Sequence, residues 1–188
     1  KDKISSNDEI WHIVRLGEKI YFQSFTGWYS YDGKAVSYMD RKSGFRPLYF
    51  YTCHDKVYAQ MINGGFYEFD GQRFHLLLER TAVGNDNVVA ILPYGNSGMV
   101  LLTVDSGLFV YEHGTVSALR TDIDAQLRWA KGNRAVMVGD SILAIGTILD
   151  GIYGVDKKGH LLWHLNRDNQ LNNNSVMGLF GDRENNLW

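Results

Sequence analysis

A single pattern of strands and turns returns along this chain at intervals of about 40 residues. The first strand of each copy starts near Ile10, Leu48, Val88, Arg134 and Ser175. Two further markers keep the same phase: a polar residue before a turn glycine, and a glycine before two aromatic or apolar residues. The turn glycines are Gly33, Gly71, Gly114 and Gly159, and the second set is Gly27, Gly65, Gly107 and Gly151. A fixed period of this length is typical of repeat architectures.

Each copy of the pattern predicts four short strands. β-Branched and aromatic residues fill the predicted strands, and Gly, Asp, Asn and Ser separate them. No window keeps an apolar period of 3.6 residues, so we expect helices to be scarce. Four strands in about 40 residues are typical of a propeller blade, whereas a β-sandwich, the competing all-β fold, gives no reason for the period. The sequence therefore predicts an all-β fold of β-propeller blades, each of four antiparallel strands.

The whole chain, 1–188, is predicted to be one array of blades. We expect complete blades at approximately 8–40, 46–79, 86–120 and 133–168, and the start of a fifth at 174–188. In the fifth, Val176–Phe180 predicts a strand, followed by a tight turn and the start of a second strand. Four blades and part of another do not easily close a ring. We therefore expect a fragment of a larger propeller, partnered by the remaining blades of the same protein and, because open blades expose apolar faces, by a second copy in a homodimer.

The segment 171–188 carries the most specific motif. It resembles the two-component regulator propeller repeat at Leu171, Asn174, Ser175, Val176, Asp182, Asn186, Leu187 and Trp188. It departs from that repeat at Asn185, where the family has Gly, and Asn tolerates the same left-handed backbone. The second half of the repeat is similar to Ala144–Thr147 followed by Asp150, Gly151 and Ile152. We predict that Asp182 and Asn186 shape the turn and that the bend at Asn174 precedes the strand.

The resemblance implies the periplasmic sensor region of a bacterial hybrid two-component or one-component regulator. In that family, two propellers precede an immunoglobulin-like domain, a membrane helix, and a histidine kinase or DNA-binding output that regulates transcription. Many such sensors are linked to oligosaccharide use. The implied function is non-catalytic sensing of an oligosaccharide or another small ligand. The membrane contact and the output would lie in segments outside this chain.

Composition and motifs exclude several other classes. The net charge of −2, with scattered Lys and Arg, gives no nucleic-acid footprint. No apolar run is long enough for a transmembrane helix. The single cysteine, Cys53, excludes an internal disulfide, and its apolar strand predicts a buried, inert thiol. The six histidines lack zinc-site spacing, and no nucleophile or phosphate-loop motif occurs. We therefore predict no catalytic residue, metal or cofactor.

Two alternative functions stay open. Val155–Trp163 resembles the Asp…Gly-x-x-x-Trp element of pyrroloquinoline-quinone propellers, in one copy, which would make the protein a quinoprotein-like enzyme. The other alternative is a scaffold for protein–protein interactions without a small ligand. Bound quinone would favour the enzyme, and capture of a protein partner without any glycan response would favour the scaffold.

A long connection supplies the main candidate for ligand binding. The segment 120–133 exceeds the equivalent connections 40–47 and 79–87, and it contains Arg128, Trp129 and Lys131. An aromatic platform with two cations suits a neutral or acidic sugar, although Trp129 could instead fill a gap in the core. The loops between second and third strands lie at the same face of a propeller. Their candidates are Trp28, Asn63, Asp105 and Asp150, and Arg41, Lys42 and Arg46 lie in another loop there.

Overall fold

The structure is a computed structural model that describes residues 8–24, 26–40 and 46–188. Arg41 and Lys42 therefore lie outside the described residues. The chain divides into two compact units, Lys1–Glu79 and Arg80–Trp188. Within the described residues, strands form four separate sheets, each of four antiparallel strands in sequential order. This confirms the predicted all-β fold of four-stranded propeller blades.

The first unit holds blades one and two. Blade one contains β1 (Ile10–Leu16), β2 (Lys19–Ser24), β3 (Gly27–Tyr31) and β4 (Val36–Asp40). Blade two contains β5 (Pro47–Cys53), β6 (Lys56–Met61), β7 (Phe66–Phe69) and β8 (Phe74–Leu78). An aromatic cluster fills the core of this unit: Phe69 stacks on Phe74 at 4.7 Å, and Trp28 meets Phe74 edge-on at 5.4 Å.

The second unit holds blades three and four. Blade three contains β9 (Val88–Tyr94), β10 (Gly98–Thr103), β11 (Leu108–Glu112) and β12 (Thr115–Leu119). Blade four contains β13 (Gly132–Val138), β14 (Ile142–Thr147), β15 (Ile152–Asp156) and β16 (Leu161–Leu165). The core of this unit is mainly aliphatic, with Leu102, Leu143 and Ile145 almost fully buried.

Aspartates close three of the turns between third and fourth strands. Oδ1 of Asp32 accepts from the amides of Lys34 and Ala35 at 2.9 and 2.8 Å. Asp70 makes the same pair of bonds in blade two, and Asp156 accepts from the amides two and four residues further on in blade four. A side-chain oxygen that satisfies two turn amides replaces the ladder bonds missing at a strand end. These local bonds explain why the polar-residue-plus-glycine marker keeps the phase of the repeat.

Three of the blades bury a hydroxyl side chain at the last residue of their second strand. Ser24, Thr103 and Thr147 occupy this position and are at most 1% exposed, whereas blade two has Met61 there. Thr147 Oγ1 donates to the carbonyl oxygen of Gly151 at 3.0 Å, and Thr103 makes the equivalent bond to Gly107 at 2.8 Å. The buried hydroxyl holds the following loop against the blade, which gives loops at this edge a fixed backbone.

The long connection before blade four contains a helix that the sequence did not predict. This helix is α1 (Asp124–Ala130), and the carboxylate of Asp124 accepts from the amide and hydroxyl of Thr121 at 2.9 and 2.8 Å. Ile123, Leu127 and Ala130 recur at helical spacing and are at most 1% exposed. Burial of this apolar stripe stabilises a helix that is too short to persist alone.

The predicted strand Val176–Phe180 is also wrong in detail, because it joins no ladder in the described structure. The amide of Val176 instead donates to the carbonyl of Thr147, the last residue of β14. A hairpin follows, with Phe180 and Trp188 exchanging backbone bonds at 2.9 and 2.8 Å around a single bridge between Gly181 and Leu187. Val176 and Leu187 pack in one cluster with Ala144 of blade four. Packing against blade four thus overrides the strand propensity of this segment.

Candidate functional site

Three chain segments meet at one edge of the second unit and form the loop surface. We define this surface as α1, Lys131, the β10–β11 loop (104–107) and the β14–β15 loop (148–151). The amide of Gly132 donates to Val104 at 2.8 Å, and the amide of Leu149 donates to Ala130 at 3.0 Å. These backbone bonds join both loops to the end of the helix. The sequence-predicted residues Arg128, Trp129, Lys131, Asp105 and Asp150 therefore belong to one connected surface.

Helix α1 presents Trp129 to solvent. Because Leu127 and Ala130 occupy the buried side, Trp129 is 52% exposed and Arg128 is also exposed. The alternative that Trp129 fills a gap in the core is wrong. Within the described residues, no hydrogen bond or ion pair joins the guanidinium of Arg128. An exposed indole beside a cation without a partner is a surface that ring C–H groups and an anionic group can contact together.

Lys131 ends the helix with a positive φ of 64°. Its ammonium donates to the carboxylate of Asp105, and the two side chains are 44% and 51% exposed. The pair neutralises its own charge, and an exposed pair of this kind contributes only about 0–1 kcal/mol. The exposed charge that is left on this part of the loop surface is therefore the guanidinium of Arg128.

Asp150 is directed inward rather than toward solvent, and its side chain is 15% exposed. The carboxylate accepts from the Tyr153 hydroxyl and from Asn166 Nδ2 at 3.2 Å. His164 stacks on Tyr153 at 4.1 Å, and its Nε2 donates to the backbone oxygen of Asp150 at 2.8 Å. Burial, with a further contribution from the Asp150 carboxylate, raises the pKa of Tyr153. Asp150 therefore organises the β14–β15 loop instead of offering a free ligand contact.

The candidates in the first unit differ in their surroundings. Trp28 lies in β3, is 4% exposed, and packs in the aromatic core, with its Nε1 donating to Met39 Sδ at 3.2 Å. Its placement as a surface ligand contact is wrong, because β3 starts at Gly27 and turns the indole inward. Asn63 and Arg46 are exposed, and Asn63 has a positive φ of 55°.

The motif residues of the last hairpin bond one another. Asp182 accepts from the amide of Asn186 at 2.8 Å, from Asn186 Nδ2 at 2.9 Å and from Trp188 Nε1 at 2.9 Å. These bonds, led by the one from Trp188, lower the pKa of Asp182 to about 2. In the preceding bend, Asn174 Oδ1 accepts from the amide of Arg167 at 2.7 Å. All of these groups therefore form hydrogen bonds within the chain. Asn185, which stands where the family repeat has Gly, has a positive φ of 66°.

A cavity of about 630 Å³ lies elsewhere in the second unit. Inner strands β9 and β13 form its walls, with Pro93, Met137 and Phe180 among the lining residues. None of the predicted ligand residues lines this cavity. The cavity and the loop surface are therefore two different candidate binding sites. We favour the loop surface, because it combines an exposed aromatic ring with an unpaired cation on a fixed backbone.

The described residues contain no group of three or more metal-ligating side chains. Across the same residues, no helix has the length and apolar character needed to cross a membrane. Cys53 is 4% exposed, and burial raises its pKa to about 11. This placement confirms that the thiol is buried, as predicted; its low reactivity stays a prediction.

Solved structures share this fold. The extracellular domain of a candidate one-component system from B. thetaiotaomicron matches all of this chain, with a TM-score of 0.75 and 17% identity. The extracellular domain of a candidate hybrid two-component system from the same bacterium matches 96% of the chain, with a TM-score of 0.67 and 18% identity. A protein of unknown function from Bacteroides thetaiotaomicron matches the whole chain at a TM-score of 0.66 and 13% identity.

This chain covers only 27% and 25% of the first two structures and 54% of the third. At these identities, the likeness establishes a shared fold. It is the fold that the two-component regulator propeller resemblance implies. No protein-family model matches the sequence, and no curated protein matches it.

Proposed function

We propose that this chain is part of the ligand-sensing, extracytoplasmic propeller region of a bacterial signal-transduction regulator. The observation that carries the proposal is the likeness, over 96–100% of the chain, to extracellular domains of candidate one-component and hybrid two-component systems. Independently, the last hairpin resembles the repeat of that family. The segment itself is non-catalytic in this proposal, and a kinase or DNA-binding output lies in another part of the regulator.

The ligand in this proposal is an oligosaccharide bound at the loop surface. Trp129 supplies a face for a sugar ring, and Arg128 can bond hydroxyl or carboxylate oxygens. Both side chains stand on a helix fixed by Ile123 and Leu127, so little ordering is needed on binding. The proposed domain is the array 1–188, with the blade bounds given above, and its proposed location is the periplasm. The proposed protein partners are the remaining blades of the regulator and a second copy of this chain.

A thermal-shift screen against neutral and acidic oligosaccharides, followed by calorimetric titration of each hit, tests the proposal. We expect Trp129→Ala to weaken binding about tenfold, because an aromatic contact contributes up to about 1.5 kcal/mol beyond its buried area. Trp11→Ala is the matched control, since Trp11 is also 52% exposed but lies in blade one. Equal affinities in wild type and a folded Trp129→Ala variant would contradict binding at this surface.

A protein-interaction scaffold is the second candidate. The last segment favours it, because the large apolar side chains of Met177, Phe180 and Trp188 are 64–73% exposed. Capture of a defined domain of the same regulator, without a thermal response to any glycan, would support the scaffold over the sensor. The quinoprotein-like element has a structural role here: Gly159 forms the β15–β16 turn with a φ of 93°, and Trp163 of β16 packs against Ala144 and Ile152 of its own blade.

A further inference from the structure

Asp86 is a buried carboxylate that sequence patterns do not single out. It is 8% exposed, and its Oδ1 accepts from the amide of Asn87 at 2.7 Å. Its Oδ2 accepts from the amides of Asp105 and Ser106 at 2.6 and 2.8 Å. Among the described residues, no cation forms an ion pair with it. A buried charge is tolerated only when it is well bonded, so these three amides are what keep Asp86 in place.

The bonds to Asp86 fix the backbone of the β10–β11 loop. Ser106 donates a second bond, to Thr103 Oγ1 at 3.1 Å, and Val104 accepts from the amide of Gly132 at 2.8 Å. Gly132 directly follows Lys131 in the chain. The two residues of the ion pair are thus held close together by backbone bonds, although their side chains are about half exposed. An exposed pair does not by itself hold two long side chains in one geometry, so the backbone must do so.

We propose that Asp86 is a positioning residue of the loop surface. It holds the β10–β11 loop so that the Asp105 carboxylate binds Lys131, two residues after Trp129 in the chain. The use of this arrangement for ligand binding rests on the proposed function, whereas the arrangement itself does not. When Lys131 is fixed, only the side chains of Trp129 and Arg128 are left to be ordered by a ligand. The entropy cost of binding is therefore lower.

The reactivity of Lys131 toward acetic anhydride, measured by peptide mass spectrometry relative to Lys158, reports on the pair without any ligand. Asp105→Asn removes the partner directly, and we expect it to raise the Lys131 rate by about 1.4-fold to fivefold, the range given by an exposed ion pair. Asp86→Ala should raise the rate to the same extent, because the amides of Asp105 and Ser106 lose the carboxylate that accepts their hydrogen bonds. Asp86→Asn, which keeps the shape, should give a smaller increase.

Ser24→Ala is the control for general loss of stability, because Ser24 anchors the corresponding loop of blade one, in the other unit. It should leave the ratio of Lys131 to Lys158 unchanged. If Asp86→Ala does not fold, the proposal is tested with Asp86→Asn and with hydrogen exchange of the wild-type protein. In the wild type, the amides of Asp105 and Ser106 should exchange slowly although they lie in a surface loop. An unchanged Lys131 ratio in the folded Asp86 variants, or in Asp105→Asn, overturns the proposal. Failure of glycan binding alone would overturn the proposed function and leave this positioning role intact.

Discussion

Replacing Gly154 by Ala tests how the indole of Trp163, in β16, packs over β15 within blade four. A Cβ at Gly154 would lie 2.1 Å from Cε2 and 2.4 Å from Cζ2 of Trp163, both in a rigid ring. Favourable carbon contacts need about 3.5–4.0 Å, so the indole has to move by roughly 1.5 Å. Trp163 packs against the buried cluster of Ala144, Ile152 and Val176, and that movement disrupts the cluster.

The expected cost follows from two opposing effects. Inserting a methyl group into a packed site costs about 1–3 kcal/mol. Replacing a strand glycine by alanine returns about 0.5–1 kcal/mol, because the unfolded chain loses less entropy on folding. The φ of Gly154 is not in the left-handed region, so backbone strain adds nothing. We expect Gly154→Ala to lower the free energy of unfolding by about 1–2 kcal/mol.

Urea denaturation followed by circular dichroism measures this change. Gly178→Ala is the matched control, since nothing lies within 4 Å of its Cβ position and its φ is also ordinary; it should change stability by less than about 0.5 kcal/mol. In a Trp163→Ala background, the Gly154→Ala change should become neutral or slightly stabilising. A cost of similar size with and without the indole would refute the steric reasoning.

Two further predictions concern titratable groups, beside those made for Trp129 and Asp86. The pKa of Asp182 is about 2 in the folded hairpin, below its ordinary value of 3.8, so its bonds stabilise the hairpin above pH 4 and are lost as the pH falls from about 4 through 2. The indole N–H resonance of Trp188 should shift over that range and should lack this transition in Asp182→Asn; an unshifted wild-type resonance would show that the bond is absent. Burial raises the pKa of Cys53 to about 11, so iodoacetamide at pH 8 should modify it only after unfolding, and rapid labelling of the native protein would contradict its placement.

The strands of the blades were predictable, because three markers kept one phase and local bonds enforce that phase. For example, blade two was expected at approximately 46–79, and its strands run from Pro47 to Leu78. The side chains of Asp32, Asp70 and Asp156 close the turns through neighbours only two to four residues away. Such bonds do not depend on the rest of the fold, and a sequence pattern therefore reveals them.

The misplaced elements depend on tertiary contacts. Helix α1 covers only seven residues, too few for its spacing of Ile123, Leu127 and Ala130 to stand out before their burial is known. The segment 176–180 has strand propensity, but the amide of Val176 bonds the carbonyl of Thr147 at the end of β14. Trp28 and Trp129 were both predicted to lie in loops. Trp28 instead lies in a strand and faces the core, whereas Trp129 lies on the exposed side of a helix.

The candidate site was predictable as a region but not in its internal bonding. The length of the 120–133 connection indicated Arg128, Trp129 and Lys131, which lie on or next to α1. The inward bonding of Asp150 and the role of Asp86 arise between residues 14–20 positions apart. No local pattern marks such pairs. The recurrent polar residues at this edge, Ser24, Thr103 and Thr147, are visible in the sequence because they occupy one position of the repeat in three blades.

Two-dimensional NMR of the five tryptophan indole N–H groups tests the central claim most directly, with oligosaccharides from the thermal-shift screen as ligands. The account predicts that the Trp129 resonance moves on titration with a single binding curve, while that of Trp11, equally exposed in blade one, stays in place. A ligand that binds with an unmoved Trp129 resonance and instead shifts the backbone amides of Met137 and Phe180, at the cavity of the inner strands, would contradict it.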